Sequence, residues 1–346
     1  MNYLSEKAKS LTPYVAGIQP QEPGWIKLNT NENPYPPSPK VLEAINRADI
    51  TRLRLYPDGN SNILCQHAGA HLNIPAEYVF AANSSDEVLA FAFGGFFSGK
   101  SVMMPDISYG FYPVWAEMYD AGTRIIPLRA DYTIDPAAYR GAGGVMLANP
   151  NAPTGIALTL GEIEAIICQN PDGVVIVDEA YIDFAAVESA VNLVEKYENL
   201  LVVRTFSKSH SLAGLRVGYA VGQPHLIDGL QRMKNAFNSY PLDMLAQIAA
   251  TAAISDTVYW DETRNRIIQT REQVAEKLCE LGYPALPSQA NFLFVKTQRA
   301  KALYDFLLEH KILVRYWNRP RLDQFLRVTM GTDEEMEAFL LCVKQF

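Results

Sequence analysis

From Tyr78 to Phe206 the chain alternates short apolar runs with helix-length segments, and this rhythm constrains the fold more than any other feature. The runs YVFAA, SVMMP, GVMLANP, GVVIVDEA and NLLVVRTF are continuously apolar rather than alternating with polar residues. A strand of that kind has both faces buried, which requires a parallel sheet covered by helices on each side. The fold class is therefore α/β, with a large domain whose mostly parallel sheet lies between helices. At 346 residues the chain exceeds what one ordinary core fills, so a second domain is expected. After Gln247 the pattern changes to a long charged helix, roughly residues 257–282, then NFLFVKT, a helix at ALYDFLLEH, KILVRYW, FLRVTMG and a terminal helix from Asp333. This looser order predicts a smaller α+β domain over residues 248–346, following a large domain over 31–247. Residues 1–30 contain Pro13, Pro20 and Pro23 and read as an extended arm.

Composition narrows the function. Apolar residues make up 49% and charged residues 20%, the balance of a folded globular chain. A net charge of -8 leaves no broad basic surface for a phosphate backbone, so small molecules are the expected partners and nucleic acid is not. Cys65, Cys168, Cys279 and Cys342 lie far apart and form no CxxC pair, which predicts reduced thiols and no metal. The start MNYLSEKAKS has no apolar leader and no run is long enough to cross a bilayer. A cytoplasmic protein with no membrane partner is expected.

Residues 94–101, GGFFSGKS, match the phosphate-loop pattern GxxxxGK[ST]. A working phosphate loop needs a strand before it and a helix after it, so that the helix N-terminus supplies amide donors. Here SSDEVLAFAFGGFF reads as a helix capped by Ser84 or Ser85, and SVMMPD reads as a strand. The glycines then mark a helix exit and a surface turn.

A stronger signal is distributed along the chain. Asn151 follows GVMLANP, Asp178 closes GVVIVD and Lys208 lies just past NLLVVR. In a parallel α/β sheet the ligand crevice opens at the carboxyl ends of the strands, so these residues converge. Asp178 is either a structural acid held by backbone donors or the partner of a cationic ligand. Lys208 is either a surface lysine or an amine whose pKa Arg204 and Arg216 lower, as carbonyl chemistry requires. One cofactor, pyridoxal phosphate, accounts for both, because its ring nitrogen needs an acid and its aldehyde needs an amine. Tyr181 reaches the ring's phenolic oxygen, while Thr205, Ser207, Arg216 and the helix start at Ser85 and Asp86 offer donors to a phosphate. Tyr109, in PDISYGFYP, is the candidate aromatic cover, with a plain loop tyrosine as the alternative.

DEAY at 178–181, PTG at 153–155 and SKSHSLAGLRVG from Ser207 to Gly218 resemble the fold type I pyridoxal phosphate enzymes of the aminotransferase class I and II group. KLNTNENPYPPSP, RLYPDG, SSDEVL, NPNAPTG, ILVRYW and LRVTMGT are similar to its histidinol-phosphate branch, over a span from about Pro13 to Glu335. The resemblance implies that Lys208 carries the cofactor and moves a proton, that Asp178 keeps the ring nitrogen protonated, that Tyr181 bonds the phenolic oxygen and that Tyr109 stacks on the ring. It assigns Ser85, Asp86, Thr205, Ser207 and Arg216 to the phosphate cup. It also implies a homodimer in which Tyr56 reaches the neighbouring subunit's phosphate. An asparagine usually stands directly before PTG, where this chain has Ala152; Asn151, one residue earlier, is the candidate substitute, with a turn asparagine as the alternative.

Arg327 matches an arginine that grips the substrate's anionic end, Arg315 a second, and Tyr14 and Asn29 match arm residues that close over the substrate. The implied reaction converts L-histidinol phosphate and 2-oxoglutarate to imidazole acetol phosphate and L-glutamate, in histidine biosynthesis. The alternatives are an aromatic or other amino acid aminotransferase, a threonine-phosphate decarboxylase of the same fold, or, outside the fold, a nucleotide binder that depends on Lys100.

Overall fold

The computed structural model describes residues 3–346. Seven strands form the central sheet: β1 (Val79–Asn83), β2 (Ser101–Pro105), β3 (Gly122–Ile126), β4 (Gly144–Ala148), β5 (Val174–Asp178), β6 (Leu200–Thr205) and β7 (Val217–Gly222). They are ordered β1-β7-β6-β5-β4-β2-β3, and only β7 runs against its neighbours. Successive side chains of a strand point to opposite faces, so each central strand feeds two cores. Val145, Leu147, Val175, Val177 and Val202 enter one, and Met146, Ile176, Leu201 and Val203 enter the other. The continuous apolar runs are the sequence trace of this double burial.

Two strands lie outside those runs. β3 is an edge strand whose first four residues are exposed, so nothing selects an apolar run there. β7, VGYAVG, carries a glycine with a steric duty: a Cβ on Gly218 would sit 2.2 Å from the Ser85 backbone nitrogen. Only glycine lets β7 pass so close to the start of the helix Ser84–Ala92. That helix begins with the Ser84 hydroxyl accepting the Asp86 amide at 3.2 Å and leaves through a wider turn at Phe93–Phe97 into β2. The GGFFSGKS stretch is thus a helix exit followed by a strand.

The second region holds β8 (Phe292–Lys296), β9 (Arg315–Tyr316) and β10 (Phe325–Thr329), antiparallel in the order β9-β10-β8. The run KILVRYW is not one strand. It breaks after Leu313, and Ile312–Leu313 pairs in parallel with Ile26–Lys27 of the arm. The arm is not wholly extended either, since Glu6–Ser10 forms a helical turn with Ser5 as its cap. The helices Thr257–Glu280, Ala300–Glu309 and Asp333–Gln345 bury Ile267, Leu278, Leu303 and Phe339 against this sheet, together with Leu28 of the arm.

A division at residue 247 would cut the helix Met244–Ser255, whose Ala246, Ala249, Ala250 and Ala253 are buried with the core of the large sheet. We propose the boundary at Asp256 instead. Among the described residues no helix is long and apolar enough to cross a membrane.

Candidate active site

β4 and β5 end level with one another, with Ala148 opposite Asp178, and β6 runs two residues further, from Val203 opposite Asp178 to Thr205. The crevice beyond these carboxyl ends opens into a cavity of about 580 Å³. Asp178, Tyr181, Lys208, Tyr109, Ser85 and Arg216 all face it. Asp178 is the last residue of β5 and only 5% exposed. It accepts the Tyr112 hydroxyl at 2.8 Å and the Ala180 amide at 3.1 Å, and among the described residues no cation lies within bonding distance of it. Burial pushes its carboxyl up to about 6, against the pull of those two hydrogen bonds. An acid in this state is a receptor for a positively charged ligand atom.

Lys208 emerges from the loop after β6. Its Nζ donates to the Thr30 carbonyl at 3.3 Å and lies 5.8 Å from the centre of the Tyr181 ring. Arg204 does not face it, contrary to the expectation that this arginine tunes the lysine. Arg204 points to the other side of β6, where it pairs with Asp183 and lies 3.7 Å from Glu179. A strand's alternation separates Arg204 from Thr205, and only Thr205 reaches the cavity. At the cavity's other end Arg216 Nη2 lies 2.9 Å from Asp86, whose second oxygen accepts the Tyr109 hydroxyl at 3.0 Å. Thr205 Oγ1 accepts the Ser207 amide at 3.1 Å. Hydroxyls, a guanidinium and a helix start therefore converge on one corner, a place for a phosphate dianion.

A second chamber of about 200 Å³ shares the Lys208 and Tyr181 walls. Its far side carries Arg315 and Arg327, which stand directly opposite each other in the β9–β10 ladder. Like charges so placed repel. Arg327 Nη2 donates to the Asn29 carbonyl at 2.7 Å, its Nε is buried without a partner, and burial lowers the pKa of the group. Arg315 Nη2 donates to the Val15 carbonyl at 3.1 Å. Among the described residues neither has a carboxylate partner, so the chamber holds positive charge in want of an anion. Trp317 lies beside both, its ring centre 5.4 Å from the Arg315 guanidinium and 5.3 Å from that of Arg327.

The arm closes these chambers. Tyr14 stacks on Phe111 at 4.3 Å and meets Tyr109 at 5.9 Å. Asn29 turns its amide to the Ile18 carbonyl at 2.8 Å, so it serves the site through its backbone. Tyr56 touches neither chamber: it is 82% exposed and stacks on Tyr240.

Asn151 is a correction. Its amide donates to the Ile107 carbonyl at 3.0 Å and to Thr154 at 3.1 Å, and its oxygen accepts the Ser108 hydroxyl at 2.7 Å. It staples the loop and faces neither chamber, because the residue reaching the cavity wall is Ala152. Sequence reasoning also missed Tyr112, which holds Asp178, and Asn31, which holds Tyr181. Tyr112 lies three residues after Tyr109 at the head of a helix, a signal that was present but carried no weight without the contact.

The aminotransferase class I and II family model matches residues 23–341, and the chain belongs to that family. Histidinol-phosphate aminotransferase 1 of Bordetella parapertussis is 51% identical to it over 350 residues, covering 99% of this chain and 98% of that one. Histidinol-phosphate aminotransferase of Brachyspira hyodysenteriae is 48% identical, with 99% and 98% covered. The crystal structure of histidinol-phosphate aminotransferase from Sinorhizobium meliloti in complex with pyridoxal-5'-phosphate superposes with a TM-score of 0.87 at 23% identity, covering 100% of this chain and 97% of that chain. The fold is that of the fold type I aminotransferases.

Proposed function

We propose that the protein is a pyridoxal phosphate-dependent aminotransferase that interconverts L-histidinol phosphate and 2-oxoglutarate with imidazole acetol phosphate and L-glutamate. The observation that carries this reading is the joining of two chambers at Lys208: an inner one with an amine, a buried acid and a phosphate corner, and an outer one with two arginines lacking a counter-ion. Pyridoxal phosphate matches the inner donor set in charge and order. When bound, it supplies an electron-accepting ring that stabilises negative charge at the substrate's α-carbon. Asp178 then holds a proton on the ring nitrogen, and the cation beside it favours the ionised carboxyl. Tyr181 would donate to the phenolic oxygen, Tyr109 would cover the ring, and Ser85, Thr205, Ser207, Arg216 and the backbone amide of Asp86 would hold the phosphate. Lys208 Nζ carries the cofactor between turnovers and moves the proton at the substrate's α-carbon.

Arg327 and Arg315 bind the substrate's phosphate in one half-reaction and glutamate's carboxylate in the other, since a guanidinium fork fits either anion. Tyr14 and the Asn29 backbone exclude water above them. The names of the two relatives, both histidinol-phosphate aminotransferases, and the near-complete coverage of both chains support this choice of substrate.

The working unit in this reading is a homodimer. Ile50, Leu53, Leu55, Tyr56 and Ile63 are large apolar residues exposed within one stretch of chain, and Tyr56 has no cavity of its own to serve. A partner would cover that surface and receive Tyr56 at its phosphate corner. The expected location is the cytoplasm, in keeping with four cysteines that are unpaired in the structure. Turnover measured with L-histidinol phosphate, phenylalanine and O-phosphothreonine tests the reading. Preferred transamination of histidinol phosphate supports it, and faster turnover of either other substrate overturns it.

A further inference from the structure

Tyr181 stands at the junction of the two chambers, and its hydroxyl has one protein partner among the described residues: Nδ2 of Asn31, at 2.9 Å. The direction of that bond is settled by what holds Asn31. The Asn31 amide N–H donates to Thr329 Oγ1 at 3.0 Å, so the threonine's own proton is free to go elsewhere. It goes to Asn31 Oδ1, also at 3.0 Å. With Oδ1 accepting there, the asparagine side chain has only its NH₂ to present to Tyr181. The backbone is fixed as well: the Asn31 carbonyl accepts the Asn291 side chain at 3.0 Å, and Asn31 sits at φ 57, a conformation asparagine tolerates. Asn31, Asn291 and Thr329 are each at most 2% exposed, so water does not compete for these bonds.

A phenol has a single proton. Since Tyr181 accepts from Asn31, that proton has no acceptor in the described protein and is available to the cavity. The loop before β5 offers no second polar group on this wall, because Asn151 is turned away and Ala152 and Pro153 are what it presents. We propose that Asn31 is a positioning residue which polarises Tyr181 and aims its proton at the phenolic oxygen of the cofactor. Thr329 lies two residues after Arg327 on β10, so the strand that holds the substrate's anion also orients the group that tunes the cofactor. The inference rests on the cofactor reading above.

A donor at the phenolic oxygen draws charge from the ring and lowers the proton affinity of the lysine-linked nitrogen beside it. The test is therefore a pH titration of the visible absorbance band of the cofactor-loaded protein, compared across variants. Asn31→Ala should raise the midpoint by about one pH unit, the scale of one charge-assisted hydrogen bond. Asn31→Asp should raise it at least as far, because a carboxylate takes the tyrosine's proton for itself. Thr329→Val frees the amide to turn and should give a smaller shift in the same direction; it keeps the test alive if Asn31→Ala does not fold. In a Tyr181→Phe background Asn31→Ala should add nothing. Loss of thermal stability with an unmoved midpoint in Asn31→Ala and Thr329→Val would overturn the proposal, and so would an undiminished Asn31→Ala shift in the Tyr181→Phe background. Lys208→Ala separates the two levels. If it keeps the band, the cofactor reading fails; if it loses the band while the Asn31 variants titrate like the parent, only this inference fails.

Discussion

The inner and outer chambers share a wall and treat charge in opposite ways. In the inner chamber Arg216 is paired with Asp86, and Asp178 accepts two hydrogen bonds. In the outer chamber Arg315 and Arg327 face each other, each bonded to a backbone carbonyl and lying beside the Trp317 ring, with no carboxylate partner among the described residues. A group held once and kept is best served by a preorganised shell. A group exchanged at every turnover is best served by charge that stays available, and two substrates with different anions demand a guanidinium pair rather than a shape-specific pocket. In the proposed function the contrast is that between resident cofactor and passing substrate.

The comparison breaks most visibly at Lys208. Lys208→Ala should lower kcat/KM about 10⁴-fold, the upper range for removal of a proton-transfer group, with loss of the visible band of the loaded protein. A smaller loss, measured by steady-state transamination, would remove the inner chamber from the chemistry.

Asp178 sharpens the inner half through pH. Its folded pKa is raised above 3.8 to about 6, so protonation is easier in the folded, cofactor-free protein than in the unfolded chain. That contribution is full below about pH 4 and is lost as pH rises through about 6, amounting to roughly 3 kcal/mol for a shift of about two units. Thermal unfolding of the cofactor-free Asp178→Asn variant should therefore exceed the parent's midpoint at pH 8, with the gap closing towards pH 4. Adding cofactor should reverse the order, because the ring cation needs the carboxylate.

The outer half is tested by its arginines. Arg327→Ala should cost about 10²-fold in kcat/KM for histidinol phosphate and glutamate alike, since a half-buried charged partner is lost to both anions. Arg315→Ala should cost about tenfold, because the remaining guanidinium still serves each anion. Relief of the facing positive charges should also raise the stability of the Arg315 variant by a few tenths of a kcal/mol, readable by chemical denaturation.

The same contrast marks what the sequence could show. The inner residues sit at the ends of strands that announce themselves as apolar runs, so Asp178 and Lys208 can be placed on one rim from the sequence, while Asn151, placed there with them, faces neither chamber. The outer chamber comes from a cross-strand register and from the arm, neither of which is local. Arg315 opposite Arg327 requires the β9–β10 pairing, and Asn31 against Tyr181 joins residues 150 positions apart. β3 escaped because an exposed edge strand has no apolar run, and Asn151 misled because turn asparagines and ligand asparagines share one alphabet. The change of pattern after Gln247 does not show which core the helix Met244–Ser255 joins; its alanines bury against the large core, which is why we propose the boundary at Asp256.

In the proposed function one cavity holds the cofactor on Lys208 and passes substrates through a shared anion site. The most direct test is a pair of half-reactions followed by absorbance on the loaded protein. L-histidinol phosphate should bleach the visible band and 2-oxoglutarate should restore it, while histidinol, which lacks the phosphate, should bleach it far more slowly. Equal rates with histidinol and histidinol phosphate, or a band that 2-oxoglutarate does not restore, would contradict the account.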